Sequence, residues 1–394
     1  MPTRRQVLGG MMAVPLAGLS FPRAGRAAAR GDARLAVVIM RGGMDGLSAV
    51  PAYGDPDFHR QRGQLDLGPP GDGGVLDLDG TFGLHPRLAT LHGFYGAGEM
   101  AVLHAVASPY RDRSHFSGQD VLENGTLTDR GAGDGWLGRS LRHADPSARR
   151  AISVRETVPL LLRGGKDVAS WSPSTLPEPD ADTLQRIGVL YEGDPLFANA
   201  LRAAVRLNAT VGRDLDTEGE RRRGRLQQAT GLMQVAGRLL AAPDGPRVAV
   251  LDMDGWDTHT RQNGLLDQQF TALDQGIGAM REALGEAWRR TAVLTVTEFG
   301  RTVAVNGTGG TDHGTGGVSF LVGGAVRGGR IIADWPGLAA QALLDGRDLR
   351  PTTDLRAVAK GILGDHLRVP GAALDTAVFP GSENVRPMRG LIRA

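Results

Sequence analysis

Apolar, β-branched runs recur at residues 35–40, 100–106, 247–253, 291–296 and 318–322, bounded by Gly-rich or polar turns. Runs of this length and composition predict buried strands. A sixth run at 331–333 follows the fifth through Gly323, Gly324, Gly328 and Gly329, which reads as a hairpin. Elsewhere the apolar spacing changes to threes and fours. Leu266, Phe270, Leu273, Ile277, Met280, Leu284 and Trp288 mark one face of an amphipathic helix, and Leu226, Ala229, Leu232, Val235 and Leu239 mark another. Strands alternating with helices predict an α/β fold with helices on both faces of the sheet. Residues 110–245 interrupt the alternation and read as a helical insertion or cap on a single domain spanning 30–394. Inside that stretch, residues 164–182 are rich in Gly, Ser, Pro and Asp and read as exposed loop. His85-Pro86 reads as a turn, and Asp354 as the N-cap of a helix over 356–363.

Composition narrows the class. The chain has 394 residues, 41% hydrophobic and 22% charged, which suits a globular protein. It has no cysteine, so disulfides, thiolate metal sites and a cysteine nucleophile are excluded. Residues 1–29 carry Arg4-Arg5, a short apolar stretch and Ala27-Ala28-Ala29, the pattern of a twin-arginine export signal. Its removal takes four arginines and no acid, lowering the formal charge from +2 to −2. The mature chain is then not basic, and a nucleic-acid partner loses its electrostatic basis. The twin-arginine translocase is the partner this segment implies, and a periplasmic or secreted location follows. No later segment reads as a membrane span.

Polar residues collect where the strands end, the place where open α/β sheets bind ligands. Arg41-Gly42-Gly43-Met44-Asp45-Gly46 follows the first run, and Arg113-Ser114-His115-Phe116 comes after the second. Asp257-Thr258-His259 follows the third, Glu298-Phe299-Gly300-Arg301 the fourth, and Thr311-Asp312-His313 precedes the fifth. If the fifth strand is antiparallel to the rest, all five clusters meet at one edge. Asp257, His259 and His313 then supply a carboxylate and two imidazoles, a common set for a catalytic divalent ion, Zn²⁺ or Mn²⁺. Asp45, Asp312 and Glu298 can ligate a second ion or orient the imidazoles. Glu298 can equally form an ion pair with Arg301. Ser114 reads either as an N-cap or as a nucleophile.

These segments, Arg-Gly-Gly-Met-Asp-Gly-Leu (41–47), Arg-Ser-His-Phe-Ser-Gly-Gln-Asp (113–120), Gly-Trp-Asp-Thr-His (255–259), Thr-Glu-Phe-Gly-Arg-Thr (297–302) and Gly-Gly-Thr-Asp-His-Gly-Thr-Gly-Gly (309–317), resemble the bacterial family known as domain of unknown function 1501. The resemblance runs from about 35 to 381. That family is grouped with the alkaline-phosphatase-like superfamily, which includes sulfatases and cofactor-independent phosphoglycerate mutases. The resemblance implies an alkaline-phosphatase-like mixed sheet and a metal-dependent hydrolase of phosphate or sulfate esters. Its substrate would be a small anionic ester or a glycan-derived one. It also implies Asp257, His259 and His313 as a first metal site, Ser114 as nucleophile, and Glu298 and Arg301 as catalytic groups. Phe299 stands where a second-site ligand belongs, so the second metal site is altered or lost. The alternative is a non-catalytic periplasmic binding or assembly protein on the same fold.

Overall fold

The computed structural model describes residues 32–173, 179–211 and 225–393; the export signal expected over 1–29 lies outside them. The strands, in chain order, are β1 (Arg34–Arg41), β2 (Leu76–Asp77), β3 (Gly83–Leu84), β4 (Met100–Ala107), β5 (Arg150–Ser153), β6 (Asp167–Ser170), β7 (Val248–Asp254), β8 (Thr291–Val296), β9 (Gly317–Val322), β10 (Arg330–Ile332) and β11 (Thr353–Asp354). Nine of them form one sheet in the order β10-β4-β9-β8-β1-β7-β5-β6, with β11 also on β4. The strands β2 and β3 pair separately.

In the large sheet only β9 runs against its neighbours; every other pairing is parallel. The carboxyl ends of β1, β4, β7 and β8 therefore share one edge with the amino end of β9. This is the arrangement in which the five polar clusters meet.

The central strands read as unbroken apolar runs because both faces are covered. Along β1, Ala36, Val38 and Met40 join one core with Phe270, Leu273 and Ile277 of the helix Gln262–Leu284. Leu35, Val37 and Ile39 face the other core, with Val358 and Ile362 of the helix Leu355–Asp365. The alternation of β1 is thus a division between two helical layers. The helix Arg225–Ala241 packs beside Gln262–Leu284 at very close range. A Cβ on Gly237 would lie 2.7 Å from the Met280 carbonyl oxygen, so glycine sets that approach.

Two readings need correction. The fifth and sixth runs form no hairpin: β10 pairs with β4 in parallel, and β4 lies between β9 and β10. The glycines of the 323–329 connection carry the chain across the end of β4, where Gly328 N and Gly329 N bond to the carbonyls of Gly98 and Met100. Residues 164–182 also contain a strand. Its β6 is a half-exposed edge of four residues, too short to leave an alternation in the sequence. The 110–245 stretch supplies β5 and β6 to the main sheet as well as helices, among them His115–Asn124, Ala181–Tyr191 and Pro195–Val211. Among the described residues, no helix is long and apolar enough to cross a membrane.

Candidate metal centre

The loop after β7 is pinned before it reaches its polar residues. Trp256 is fully buried against Phe270, and its backbone N–H donates to the Arg41 carbonyl. Gly42, at φ +119°, lies so close that a Cβ there would sit 2.5 Å from Asp257 N. Only glycine meets both conditions. From this anchored turn Asp257 and His259 project toward the connection between β8 and β9. There Arg301 and His313 form an isolated antiparallel bridge. The helix His115–Asn124 closes the third side with its first residue.

The side chains converge on Asp257. Its Oδ1 lies 2.9 Å from His259 Nε2, 3.1 Å from His313 Nε2 and 2.8 Å from Arg301 Nη1. The two Nε2 atoms are 3.0 Å apart. His115 Nε2 is 3.4 Å from Asp257 Oδ2 and, although buried, has no hydrogen-bond partner among the described residues.

The other ring nitrogens explain the orientation. Each Nδ1 meets an oxygen: the Arg113 carbonyl for His313 (2.9 Å), Asp312 Oδ1 for His259 (3.2 Å) and Glu298 Oε1 for His115 (2.8 Å). A carbonyl or an ionised carboxylate only accepts, so each Nδ1 carries the hydrogen. In the neutral ring each Nε2 then presents a lone pair. Two opposed lone pairs 3.0 Å apart, beside a carboxylate, call for a cation or a proton between them. A tetrahedral Zn²⁺ with Zn–N of about 2.0–2.1 Å separates its ligand atoms by about 3.3 Å. The observed spacings fit such a group within a few tenths of an ångström. His115, Asp257 and His313 also offer ligand atoms that all lie within 4.8 Å of one another.

The charges are settled by neighbours. Burial pushes Asp257 up, but the hydrogen bond from Arg301 and the Arg301 charge outweigh it and hold the carboxyl at about 2. Glu298 is likewise lifted by burial and brought below its usual range by the bonds from His115, Gly42 N and Gln119. The hydrogen bond to Glu298 raises His115, whereas burial lowers His313. Phe299 closes the inner wall, its ring 5.0 Å from His115 and 4.9 Å from His313.

The remaining candidates take definite places, some of them among the expected alternatives. Asp45 does not reach the centre. Its carboxylate caps the helix Gly46–Ala49 and accepts from Arg62, Ser48 and Gln262, which leaves no room for an ion. The expected Glu298–Arg301 pair does not form: Arg301, fully enclosed, holds Asp257, and Glu298 holds His115. Asp312 bonds His259 Nδ1 and so orients an imidazole. Ser114 occupies an N-cap position but its hydroxyl makes no capping bond, leaving Oγ available between Arg113 and His115.

His115 escaped the sequence reading because the adjacent Ser114 looked like the functional member of that motif. Its one legible signal was an imidazole in a polar motif at the start of a helix. Its tie to Glu298, 183 residues away, is tertiary.

No curated protein matches the chain. Solved structures with a similar course include one titled Ps i-CgsB in complex with k-i-k-neocarrahexaose, at 10% identity over 90% of this chain and 77% of that one, TM-score 0.41. The C-terminal periplasmic domain of EcEptC from Escherichia coli, in complex with Zn, shares 10% identity over 74% and 72%, TM-score 0.36. The phosphonate monoester hydrolase of Agrobacterium radiobacter shares 10% over 76% and 70%, TM-score 0.35. Likeness of this degree carries no inference about what this chain binds. The family described as Protein of unknown function (DUF1501) matches residues 95–378, a span that contains every residue of the centre, and the chain belongs to that family.

Proposed function

We propose that this protein is an exported, metal-dependent hydrolase of small anionic esters, phosphate or sulfate, including glycan-derived ones. The observation that carries the reading is the convergence of three Nε2 lone pairs and the Asp257 carboxylate, each Nδ1 already tied to an oxygen. Asp257, His259, His313 and His115 would hold one Zn²⁺ or Mn²⁺. Such an ion, when bound, polarises an ester oxygen and lowers the pKa of bound water. The chain's own groups do the rest. Arg113 O, Asp312 and Glu298 fix the three rings. Arg301, enclosed against Thr311, fixes Asp257 rather than reaching a substrate. Ser114 Oγ, free of capping duty, is the nucleophile of this reading. The sealed Asp45 and the wall at Phe299 favour one ion, not two.

Those same two residues favour a second reading: a binding or assembly protein that keeps the ion without turnover. The test is elemental analysis of mature protein purified without chelator, beside His115→Ala, His259→Ala and His313→Ala. About one ion per chain, lost in all three variants, is expected from a centre of this ligand type. Wild-type turnover of a phosphate or sulfate ester then identifies the hydrolase; metal without turnover identifies the binding protein. No metal after reconstitution overturns both. Export rests on residues 1–29, and Arg4→Lys with Arg5→Lys should retain the chain in the cytoplasm; unchanged export overturns the twin-arginine assignment.

A further inference from the structure

We propose that Gln262 is the positioning residue of this centre: its buried amide locks the loop carrying Asp257 and His259 to the loop carrying His313. This rests on the metal reading above. Gln262, the first residue of the helix Gln262–Leu284, is fully buried. Gln262 Oε1 accepts from Thr258 Oγ1 at 3.0 Å and Thr311 Oγ1 at 2.7 Å. Its Nε2 donates to Asp45 Oδ2 at 2.5 Å and Ser48 Oγ at 3.2 Å. All four hydrogen-bonding positions of the amide are filled.

The two threonines are what make this a clamp. Thr258 stands between Asp257 and His259, and Thr311 stands two residues before His313. Their backbones also meet, Thr311 N donating to Thr258 O at 3.3 Å. One amide therefore sets the spacing of loops that leave different strands.

Direction is fixed as well as position. Asp45 only accepts, so the amide NH₂ must face it and the carbonyl must face the hydroxyls. Each hydroxyl spends its hydrogen on Gln262, which leaves Thr311 Oγ1 to accept Arg301 Nε at 3.2 Å. Arg301 in turn donates to Asp257. Asp45 is held by Arg62, whose Nη1 also donates to the Thr302 and Val303 carbonyls just beyond Arg301. Asp45, which the sequence offered as a second-site ligand, is thus the fixed end of a chain of hydrogen bonds in which Arg301 donates to Thr311, Thr311 to Gln262 and Gln262 to Asp45, while the other nitrogen of Arg301 donates to the ligand carboxylate. An apolar side chain at 262 can fill the space but cannot set this direction.

The experiment measures Zn²⁺ affinity by competition with a chelating indicator, in full-length mature protein. Gln262→Met and Thr311→Val should each weaken binding about 10- to 100-fold, the usual effect of losing an outer hydrogen-bond partner, whereas Thr311→Ser should stay within about twofold. The double variant should be little weaker than the worse single one, because both act through one network. Lys360→Met serves as control: it removes an equally enclosed charge from the opposite core, bound to Asp375, and should lower Tm without changing affinity. If Gln262→Met resembles Lys360→Met, lowering Tm alone, the positioning role is overturned. If Gln262→Met does not fold, the Thr311→Val and Thr311→Ser pair decides. If the wild type binds neither Zn²⁺ nor Mn²⁺, the metal reading fails and the clamp is judged on metal-free protein. Imidazole Cε1–H NMR signals of His259 and His313 should then move in Gln262→Met and Thr311→Val but not in Thr311→Ser; unmoved signals overturn it.

Discussion

Asp45 and Asp257 follow adjacent strands, and each is paired with an arginine whose side chain is 0% exposed. Yet they do opposite things. The Asp45 side chain is 2% exposed and accepts from two backbone N–H groups, a hydroxyl, an amide and Arg62. The Asp257 side chain is 44% exposed, and three of its neighbours are imidazoles that can give way to an ion. A carboxylate that is itself enclosed, with every partner fixed, is a part of the fold. One whose partners can exchange is a site. Residue type and loop position were the same; enclosure decided the difference.

The strongest way to break this comparison is to remove the charge of each. Asp45→Asn leaves Arg62 buried without its partner and should cost about 3–5 kcal/mol, much of a typical folding stability. Asp257→Asn should cost less, since water reaches that carboxylate, while abolishing metal binding. Denaturant unfolding beside metal titration of both variants checks it, and equal stability losses would erase the distinction.

Acid sharpens it next. His104 sits in the enclosed region, its Nε2–H donating to the Val50 carbonyl and its Nδ1 accepting from Ala105 N. Burial holds its pKa at about 4, against 6.5 for a free imidazole. Above pH 6.5 the ring is neutral folded or unfolded, and it contributes no pH dependence. As pH falls toward 4 the unfolded chain takes up a proton that the folded ring refuses, so stability drops, and the loss levels off below 4. At about 1.4 kcal/mol per pH unit the loss is about 3 kcal/mol. His85, also held at about 4 chiefly by burial, adds in the same direction. His104→Gln should flatten the curve of stability against pH; an unchanged curve would place the acid sensitivity elsewhere.

Smaller effects separate the roles of the remaining aspartates. Asp312→Asn weakens the hold on His259 Nδ1 and should reduce metal affinity toward the lower end of 10- to 100-fold, because this carboxylate is more than half exposed. Asp354→Ala removes an N-cap and the partner of the largely buried Arg356, and should cost at least about 1 kcal/mol with metal affinity unchanged.

The sequence was most readable where one physical demand governs many residues. Strands covered on both faces must be apolar throughout, so β1, β4, β7, β8 and β9 stood out within two residues of their bounds. The long helix was equally plain, its apolar face packed against the sheet and Trp288 carried into the turn that follows. The half-exposed edge strand β6 has no such demand and left no trace. At the site, the clusters pointed to the right edge of the sheet but not to the partners within it. Glu298 met His115 rather than Arg301 because Gly42 and Gln119 hold that carboxylate toward the helix His115–Asn124. Such choices depend on packing between segments nearly 200 residues apart, which no local pattern records.

The pairing of the central strands sets an order of assembly. The strand β1 lies between β7 and β8, both more than 200 residues later in the chain, and among the described residues β4 pairs with β9, β10 and β11 alone. Contacts of this separation close large loops before they return any stabilisation, which slows folding. A chain still on the ribosome and cut before residue 291 holds β4 without any partner strand and β1 with one edge open. Its apolar runs remain uncovered for most of synthesis, and this sheet is complete only when the last quarter of the polypeptide arrives.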